Sequence, residues 1–139
     1  MSDDAARWRE RFAAAPVARM ATITPAGRPH VVPVTCAVSG DTIYWAVDHK
    51  PKRSRRLARL ANLAANPAVA MVADHYEEDW SLLWWVRADG TGREVTDPAE
   101  RARALAALTA AHPQYADRPP EGPVVAVDVE RWSGWEAAR

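Results

Sequence analysis

A short basic segment is the part of this sequence best suited to do chemistry. Six of the ten residues from Lys50 to Arg59 are Lys or Arg, in a chain of 139 residues whose formal net charge is +0. No acidic residue occurs between Asp48 and Asp74. Arginine forks, lysine charges and helix N-termini are the groups that bind phosphate in proteins. The segment therefore predicts an anion site, and the alternative is an ordinary solvated basic face.

A helix is predicted to start inside this segment. Apolar residues recur at helical spacing and predict the packed face, with members Leu57, Leu60, Ala61 and Ala64. Ser54 is the expected N-cap, so Lys52 and Arg53 precede the helix and Arg55 and Arg56 lie in its first turn. Cations at a helix start oppose the helix dipole, which suggests that a bound anion compensates them. Arg59 is one turn further in and is expected at the surface.

Motifs for other kinds of site are absent from the sequence. It contains no GxGxxG, Walker or HExxH motif and no Cys–His cluster, and its four histidines are scattered. No catalytic side chain and no metal ligand is therefore predicted. Seven tryptophans offer flat apolar walls. An anion site, flat walls and no acid–base pair together favour a bound cofactor that carries the chemistry itself.

Length and composition predict one domain over residues 1–139, with enough apolar residues, 48%, to form a core. The lone Cys36 reads as a buried small hydrophobe and favours a reducing compartment. Neither a membrane span nor a signal peptide is recognisable. The expected protein is cytoplasmic.

The predicted element order is helix, three strands, helix, three strands, helix, strand. Pro33 lies within the second strand, His30–Val38, and predicts an edge or an interruption there because proline cannot donate a ladder hydrogen bond. Asp89-Gly90 predicts a hairpin. Asp97, Pro98 and Glu100 predict the start of a helix that reaches about Ala111 and buries Ala102, Leu105 and Leu108. Hairpins dominate, which favours an antiparallel sheet closed as a small barrel with helices outside.

These residues resemble a known family. The stretch from Val17 to Val34, ATITPAGRPHVVPV at its centre, is followed by the basic segment and by Asn66-Pro67-Ala68-Val69. This combination is similar to the pyridoxamine 5′-phosphate oxidase-like split β-barrel superfamily, in the branch of probable coenzyme F420-dependent oxidoreductases. The resemblance covers nearly the whole chain. It implies a mainly β (α+β) fold, a split barrel of six or seven mostly antiparallel strands with three flanking helices.

The resemblance also implies a function and a site. The expected activity is F420-dependent oxidoreduction, with hydride passing between the deazaflavin and a small unsaturated molecule, and FMN is the alternative cofactor. The expected assembly is a homodimer with cofactor sites at the interface. Lys52, Arg53, Arg55 and Arg56 would hold the phosphate, and Val32, Pro33 and Val34 would contact the ring through backbone. Trp132 and Trp135 would cover the ring from the other subunit.

The sequence departs from the family pattern in two ways, and two alternative functions remain. The helix after Lys52 is longer than in the pyridoxamine-phosphate oxidases, and their substrate-binding Arg and His residues have no match, which disfavours pyridoxamine oxidation and FMN. A non-catalytic module of the same fold that stores FMN, F420 or haem is the first rival. A nucleic-acid binder that uses the basic segment is the second, and the zero net charge and the single basic patch count against it.

Overall fold

The fold was described from a computed structural model, which covers residues 3–15, 17–47 and 53–137, with the side chains of Asp3 and residues 53–57 excepted. The described elements start with a helix and end with a strand as the sequence predicts, but four strands precede the basic helix and two lie between it and the next α-helix, where three and three were predicted. In chain order the elements are α1 (Asp3–Ala13), β1 (Ala18–Ile23), β2 (Pro29–Val34), β3 (Ala37–Ser39), β4 (Thr42–Ala46), α2 (Arg53–Ala65), β5 (Ala68–His75), a 3₁₀ helix (Trp80–Leu82), β6 (Trp84–Glu94), α3 (Pro98–Ala111), α4 (Gln114–Asp117) and β7 (Val124–Glu136).

All seven strands belong to one antiparallel sheet, in the order β2-β1-β5-β6-β7-β4-β3. The sheet curls into a half-barrel, which confirms the predicted mainly β split barrel. Pro33 lies in β2, at one edge of the sheet, as its missing N–H predicts. Within the described residues no helix is long and apolar enough to span a bilayer.

The sheet separates two hydrophobic clusters, and β7 contributes to both. Its inward residues Val125 and Val127 belong to the larger cluster, which α1 and α2 cover. Its outward residues Val124 and Ala126 belong to the smaller cluster, which α3 covers. All four are 0% exposed. Because side chains alternate along a strand, one strand can serve two cores in this way.

The N-terminal helix packs as its spacing predicts. Trp8 and Phe12 are buried in the larger cluster, and Ala5 packs against it. The indole of Trp8 lies over Gly134 of β7, where a Cβ would be 2.7 Å from Trp8 Cε3. Phe12 meets the ring of Trp132 edge-on at 5.5 Å between centroids. The helix therefore closes one side of the half-barrel.

The predicted hairpin at Asp89-Gly90 is wrong. β6 runs without a turn from Trp84 to Glu94, and the register with β7 shifts between Asp89 and Gly90. A Cβ at Gly90 would overlap the carbonyl oxygen of Asp128. The glycine therefore permits a β-bulge in the facing strand rather than a reversal of its own strand.

Three other boundaries differ from the prediction. The predicted strand His30–Val38 is divided into β2 and β3 at Thr35 and Cys36. The sequence pattern also predicts a strand from Trp80 to Ala88, but this segment begins with a 3₁₀ turn. A fourth helix, α4, follows Pro113, so the described residues form four α-helices where three were predicted.

The α3 helix begins as predicted. The carboxylate of Asp97 accepts hydrogen bonds from the backbone N–H groups of Ala99 and Glu100, and Pro98 occupies the first turn. The helix ends at Ala111, as expected. Its buried residues are Ala104 and Leu108, whereas Ala102 is exposed, so the packed face is rotated from the predicted one.

Candidate cofactor site

The basic helix α2 begins at Arg53, so Ser54 lies inside the helix and the N-cap prediction is wrong. Lys52 lies outside the described residues, and for Arg53, Arg55 and Arg56 the structure gives the backbone alone. The first turn of α2 contains no acidic residue. The helix thus directs its backbone N–H groups and its arginine positions to the same end, which is the arrangement that anions favour.

The packed face of α2 agrees only in part with the prediction. Leu60 packs against the larger cluster, as predicted, and the side chain of Leu57 lies outside the described residues. Asn62 and Leu63 are buried, whereas Ala61 and Ala64 are exposed. A Cβ at Gly92 of β6 would be 2.7 Å from Leu63 Cδ2, so the helix packs closely on this glycine. Apolar spacing missed this face because a buried Asn contributes nothing to a hydrophobic pattern.

Arg59 lies on this packed side rather than at the surface. It is partly buried, and its guanidinium carbon is 5.8 Å from the centre of the Trp45 ring, a cation–π distance. Trp45 is 1% exposed, and its indole Nε1 has no hydrogen-bond partner in the described part of the chain. A buried indole N–H without a partner is unusual in a folded protein. The pair was not predicted, because periodicity placed Arg59 outside.

A buried hydrogen bond joins the packed face of α2 to strand β1. The Asn62 side-chain amide donates to Thr22 Oγ1 at 3.3 Å, and both residues are at most 4% exposed. Thr22 pairs across the ladder with His30, whose Nδ1 is buried and has no partner among the described residues. Arg59 and Asn62 of α2 thus lie beside Trp45 and Thr22. The ring nitrogens of Trp45 and of His30, the ladder partner of Thr22, have no partner among the described residues.

The predicted ring-contacting residues lie on the edge strand β2. Val34 is buried and Val32 partly buried, both toward the larger core, whereas Pro33 is exposed on the other face. The strand pairs with β1 alone, so the backbone groups along its free side have no strand partner within residues 3–15, 17–47 and 53–137. Backbone donors and acceptors are thus available beside these three residues, as the prediction requires.

The structure places Trp132 and Trp135 in different surroundings. Trp132 is 8% exposed, packs against Phe12 and donates from Nε1 to Asp41 Oδ1 at 3.1 Å. Trp135 is 43% exposed and pairs across the ladder with Trp85. Of the two, Trp135 has the indole surface that another molecule can contact, and the role predicted for the pair stays a prediction.

The Cys36 thiol is not set up for nucleophilic chemistry. It is 6% exposed, as the sequence predicts, and burial raises its pKa to about 12. The backbone oxygen of Cys36 is 2.8 Å from His112 Nε2, so that this histidine binds main chain rather than the thiol. The described residues contain no group of His, Cys, Asp and Glu able to hold a metal ion.

A second polar cluster, also missed from sequence, lies on the outer face under α3. Arg93 donates to both Glu100 oxygens, at 2.7 and 2.8 Å, and to both Asp128 oxygens, at 2.7 and 3.2 Å. Tyr44 donates to Glu100 at 2.8 Å. The hydrogen bonds from Arg93 and Tyr44 lower the pKa of Glu100 to about 2. Burial first, and then Glu100, raise the pKa of Tyr44 to about 12. These four side chains pair with one another and hold α3 on the sheet.

The family model for pyridoxamine 5′-phosphate oxidase matches residues 5–136, and the chain belongs to this family. No curated protein matches the sequence significantly. Solved structures with the same fold include a conserved hypothetical protein from Mycobacterium tuberculosis, with 19% identity, a TM-score of 0.76, and 98% of this chain and 85% of that one covered.

Two further similar structures have ligand-binding names. A FAD-binding protein from Mesorhizobium loti has 22% identity and a TM-score of 0.71, over 99% of this chain and 96% of that one. A heme binding protein from Mycobacterium smegmatis has 22% identity and a TM-score of 0.76, over 99% of this chain and 55% of that one. At these identities the structural similarity establishes the fold, and the family model confirms the predicted pyridoxamine 5′-phosphate oxidase-like family.

Proposed function

We propose that this protein binds a flavin-class cofactor at the start of α2 and is an oxidoreductase that uses coenzyme F420. One observation carries the proposal: α2 begins with arginines and no acid, and its packed side lies against Trp45 and Thr22, next to buried ring nitrogens that have no partner among the described residues. Arg59 already lies on that side. Positions 55 and 56 precede Arg59 by one helical turn, so the same side of the helix continues to the proposed phosphate site.

The residues present fit such a cofactor. Lys52, Arg53, Arg55 and Arg56 supply the charge for a phosphate, which arginine binds in a bidentate manner. The free backbone side of β2, beside Val32, Pro33 and Val34, supplies donors and acceptors for the polar edge of a flat ring. The indole N–H of Trp45, which has no partner among the described residues, is one further donor. Phosphate charges, backbone groups and flat apolar walls are the requirements of a flavin-like molecule.

The cofactor, when bound, supplies hydride transfer to a small unsaturated acceptor. The protein's own residues bind the phosphate, orient the ring and exclude water. No side-chain acid–base pair is identifiable among the described residues near α2 and β2, so the acceptor takes its proton from solvent. We propose F420 ahead of FMN because of the long α2 and the absence of matches to the substrate-binding residues of pyridoxamine-phosphate oxidases.

We further propose a cytoplasmic homodimer, with Trp135 of one copy beside the cofactor of the other. Its indole is exposed and lies at the end of β7, where a second copy can reach it. Interfaces are enriched in such partly exposed tryptophans.

Titration of the purified protein with F420 and with FMN, followed by cofactor fluorescence, tests the proposal. We expect saturable F420 binding in the micromolar range or tighter, and hydride transfer from reduced F420 to at least one acceptor of an enone panel. Unchanged F420 fluorescence at tens of micromolar, with saturable FMN binding, would reject F420 as the cofactor.

A binding protein without turnover is the second candidate function. The absence of an acid–base pair among the described residues favours it, and so do the FAD-binding and heme binding names of the two similar structures. Hemin and FMN titrations, each followed by a turnover assay, separate the two candidates. Tight binding of either ligand with no hydride transfer to any acceptor would favour storage over catalysis.

A further inference from the structure

The two edge strands of the sheet are joined by a very short crossover. β2 and β3 lie at opposite edges, yet only Thr35 and Cys36 separate them along the chain. In a flat sheet with a strand spacing of about 4.8 Å, the two edges of the 7-stranded sheet would lie about 29 Å apart. The Cα steps from Val34 to Ala37, of about 3.8 Å each, span at most about 11 Å. The crossover, residues 35–36, therefore holds the two edges of the curled sheet close together.

Two side chains at the junction of α3 and α4 bind this crossover. The imidazole of His112 donates from Nε2 to the backbone oxygen of Cys36 at 2.8 Å, since a carbonyl oxygen can only accept. The hydroxyl oxygen of Tyr115 is 3.0 Å from Thr35 Oγ1, a second hydrogen bond. One bond holds the main chain of the crossover and the other holds a side chain. Both residues of the crossover are therefore tied to the same junction.

The α3–α4 junction has a defined geometry of its own. The His112 N–H donates to the oxygen of Leu108 at 2.8 Å, and the Tyr115 N–H donates to the oxygen of His112 at 3.0 Å. The rings of His112 and Tyr115 meet edge-on, with centroids 6.1 Å apart. Tyr115 also packs against the smaller cluster, in which Leu108 of α3 is buried. The two side chains that hold the crossover are thus supported by the packing of α3 on the sheet.

The crossover is one of the two fixed ends of β2. At the other end, Thr24 closes the turn between β1 and β2: its N–H donates to the oxygen of Arg28, and its oxygen accepts from the Gly27 N–H, both at 2.8 Å. Between these ends β2 pairs, among the described strands, with β1 alone. The position of its free side therefore depends on how firmly the two ends are held.

We infer that Tyr115 and His112 are positioning residues: they hold the crossover and, through it, the free side of β2. The consequence for binding rests on the proposed function, in which the backbone of β2 contacts the cofactor ring. Neither side chain is assigned a contact with the cofactor itself. The groups of a binding site must be held within about 0.5 Å of the productive geometry, so a hydrogen bond that fixes the strand from a distance sets how well the ring is bound.

Hydrogen exchange of the cofactor-free protein, followed by mass spectrometry, tests the anchor. Tyr115→Phe and Thr35→Val each remove the same exposed hydrogen bond, whereas Thr35→Ser keeps the hydroxyl. In the first two variants we expect peptides from β2 to exchange about threefold to tenfold faster, the effect of losing one such bond, and Thr35→Ser should restore the wild-type rate. Peptides from β5, inside the sheet, should exchange as in the wild type. The double variant Tyr115→Phe/Thr35→Val should exchange no faster than either single variant, because both changes remove one bond.

Cofactor affinity is measured on the same variants by fluorescence titration with F420 and with FMN. The cofactor that binds the wild type should bind Tyr115→Phe and Thr35→Val about threefold to tenfold more weakly, with recovery in Thr35→Ser. The matched control is Tyr44→Phe, which removes the bond of another tyrosine to Glu100 and leaves the crossover untouched. It should lower the thermal midpoint, with no change in affinity or in the exchange of β2 relative to β5. If Tyr115→Phe behaved like this control, its role would be structural only and the inference would be overturned.

His112→Phe tests the second bond. It keeps a ring beside Tyr115 but leaves the oxygen of Cys36 without this donor, so β2 should exchange at least as fast as in Tyr115→Phe. Unchanged exchange of β2 in Tyr115→Phe and Thr35→Val would overturn the anchor, whether or not His112→Phe folds. Faster exchange with unchanged affinity would overturn the link to the cofactor site. A wild type that binds neither F420 nor FMN rejects the proposed function alone, since the exchange rates still decide whether the α3–α4 junction positions β2.

Discussion

Two helices cover the same sheet and begin in opposite ways. α3 begins with a capping Asp97 and with Glu100 in its first turn, which suits the positive end of a helix dipole. The first turn of α2 contains no acid, and arginines occupy positions 53, 55 and 56. Glu100 is neutralised by Arg93 and Tyr44 within the chain. The side chains of these three arginines lie outside the described residues.

The polar groups beneath the two helices also differ in whether they are paired. Under α3 the charged groups of Arg93, Glu100 and Asp128 satisfy one another. Under α2 the ring nitrogens of Trp45 and His30 have no partner among the described residues. A satisfied network stabilises a fold, whereas unsatisfied buried groups are tolerated mainly where a ligand completes them. The contrast gives the α3 side a structural role and supports the binding role proposed for the α2 side.

The largest effect is expected from Lys52→Glu. It should weaken F420 or FMN binding about 100-fold, because a charge-assisted phosphate contact is replaced by repulsion. The thermal midpoint should stay within a degree or two of the wild type. Fluorescence titration gives the affinity, and Arg118→Glu, at an exposed position of the chain, is the control. Equal affinities in the two variants would remove the site from α2.

Arg93→Ala should change stability and leave cofactor binding intact, the reverse of Lys52→Glu. It should lower the free energy of unfolding by about 1–2 kcal/mol, because hydrogen bonds to both carboxylates are lost from a partly exposed site. Cofactor affinity should not change. Urea denaturation measures the loss, and a double-mutant cycle with Glu100→Gln isolates the pair. Additive effects would show that the two side chains are not coupled.

Acid should act on the α3 side first. The pKa of Glu100 is lowered from 4.5 to about 2, so its pairing stabilises the fold above the ordinary pKa and is lost as the pH falls through that range. Glu100→Gln lacks this contribution at every pH. The stability gap between wild type and variant should therefore narrow from about pH 5 downward. A constant gap in urea melts over that range would contradict the assigned pKa.

The smallest effect is expected from Arg59→Gln. Loss of the cation–π contact with Trp45 should cost about 0.5–1 kcal/mol of folding stability. Arg59→Lys retains the charge and should recover part of the lost folding stability. Differential scanning calorimetry resolves the series if all three proteins are compared in one buffer. Identical midpoints would mean that Arg59 does not support the packing of α2.

Sequence reasoning succeeded where local signals act alone. The cap at Asp97, the edge strand at Pro33 and the buried face of α1 each follow from one residue type or one period. It failed where distant residues decide. Gly90 looked like a turn because its close neighbour, Asp128, is far along the chain. Arg59 looked exposed because the buried Asn62 beside it is invisible to a hydrophobic pattern.

The candidate site could be located from sequence but not assembled. Its charges stand together in the sequence, so the segment from Lys50 to Arg59 was found directly. The groups that complete it come from β1, β2 and β4 through long-range packing, as Thr22, His30 and Trp45 illustrate. The network of Arg93, Glu100 and Asp128 was missed for the same reason, since its members lie on three elements.

The double role of β7 links the two sides of the molecule. Neighbouring valines of this strand, such as Val124 and Val125, are sealed in different cores. Neither core survives detachment of the strand, so loss of β7 pairing should open the backbone amides of both layers together. A substitution that detaches β7 will then destabilise the cores under both helices, even though the two helices have different roles.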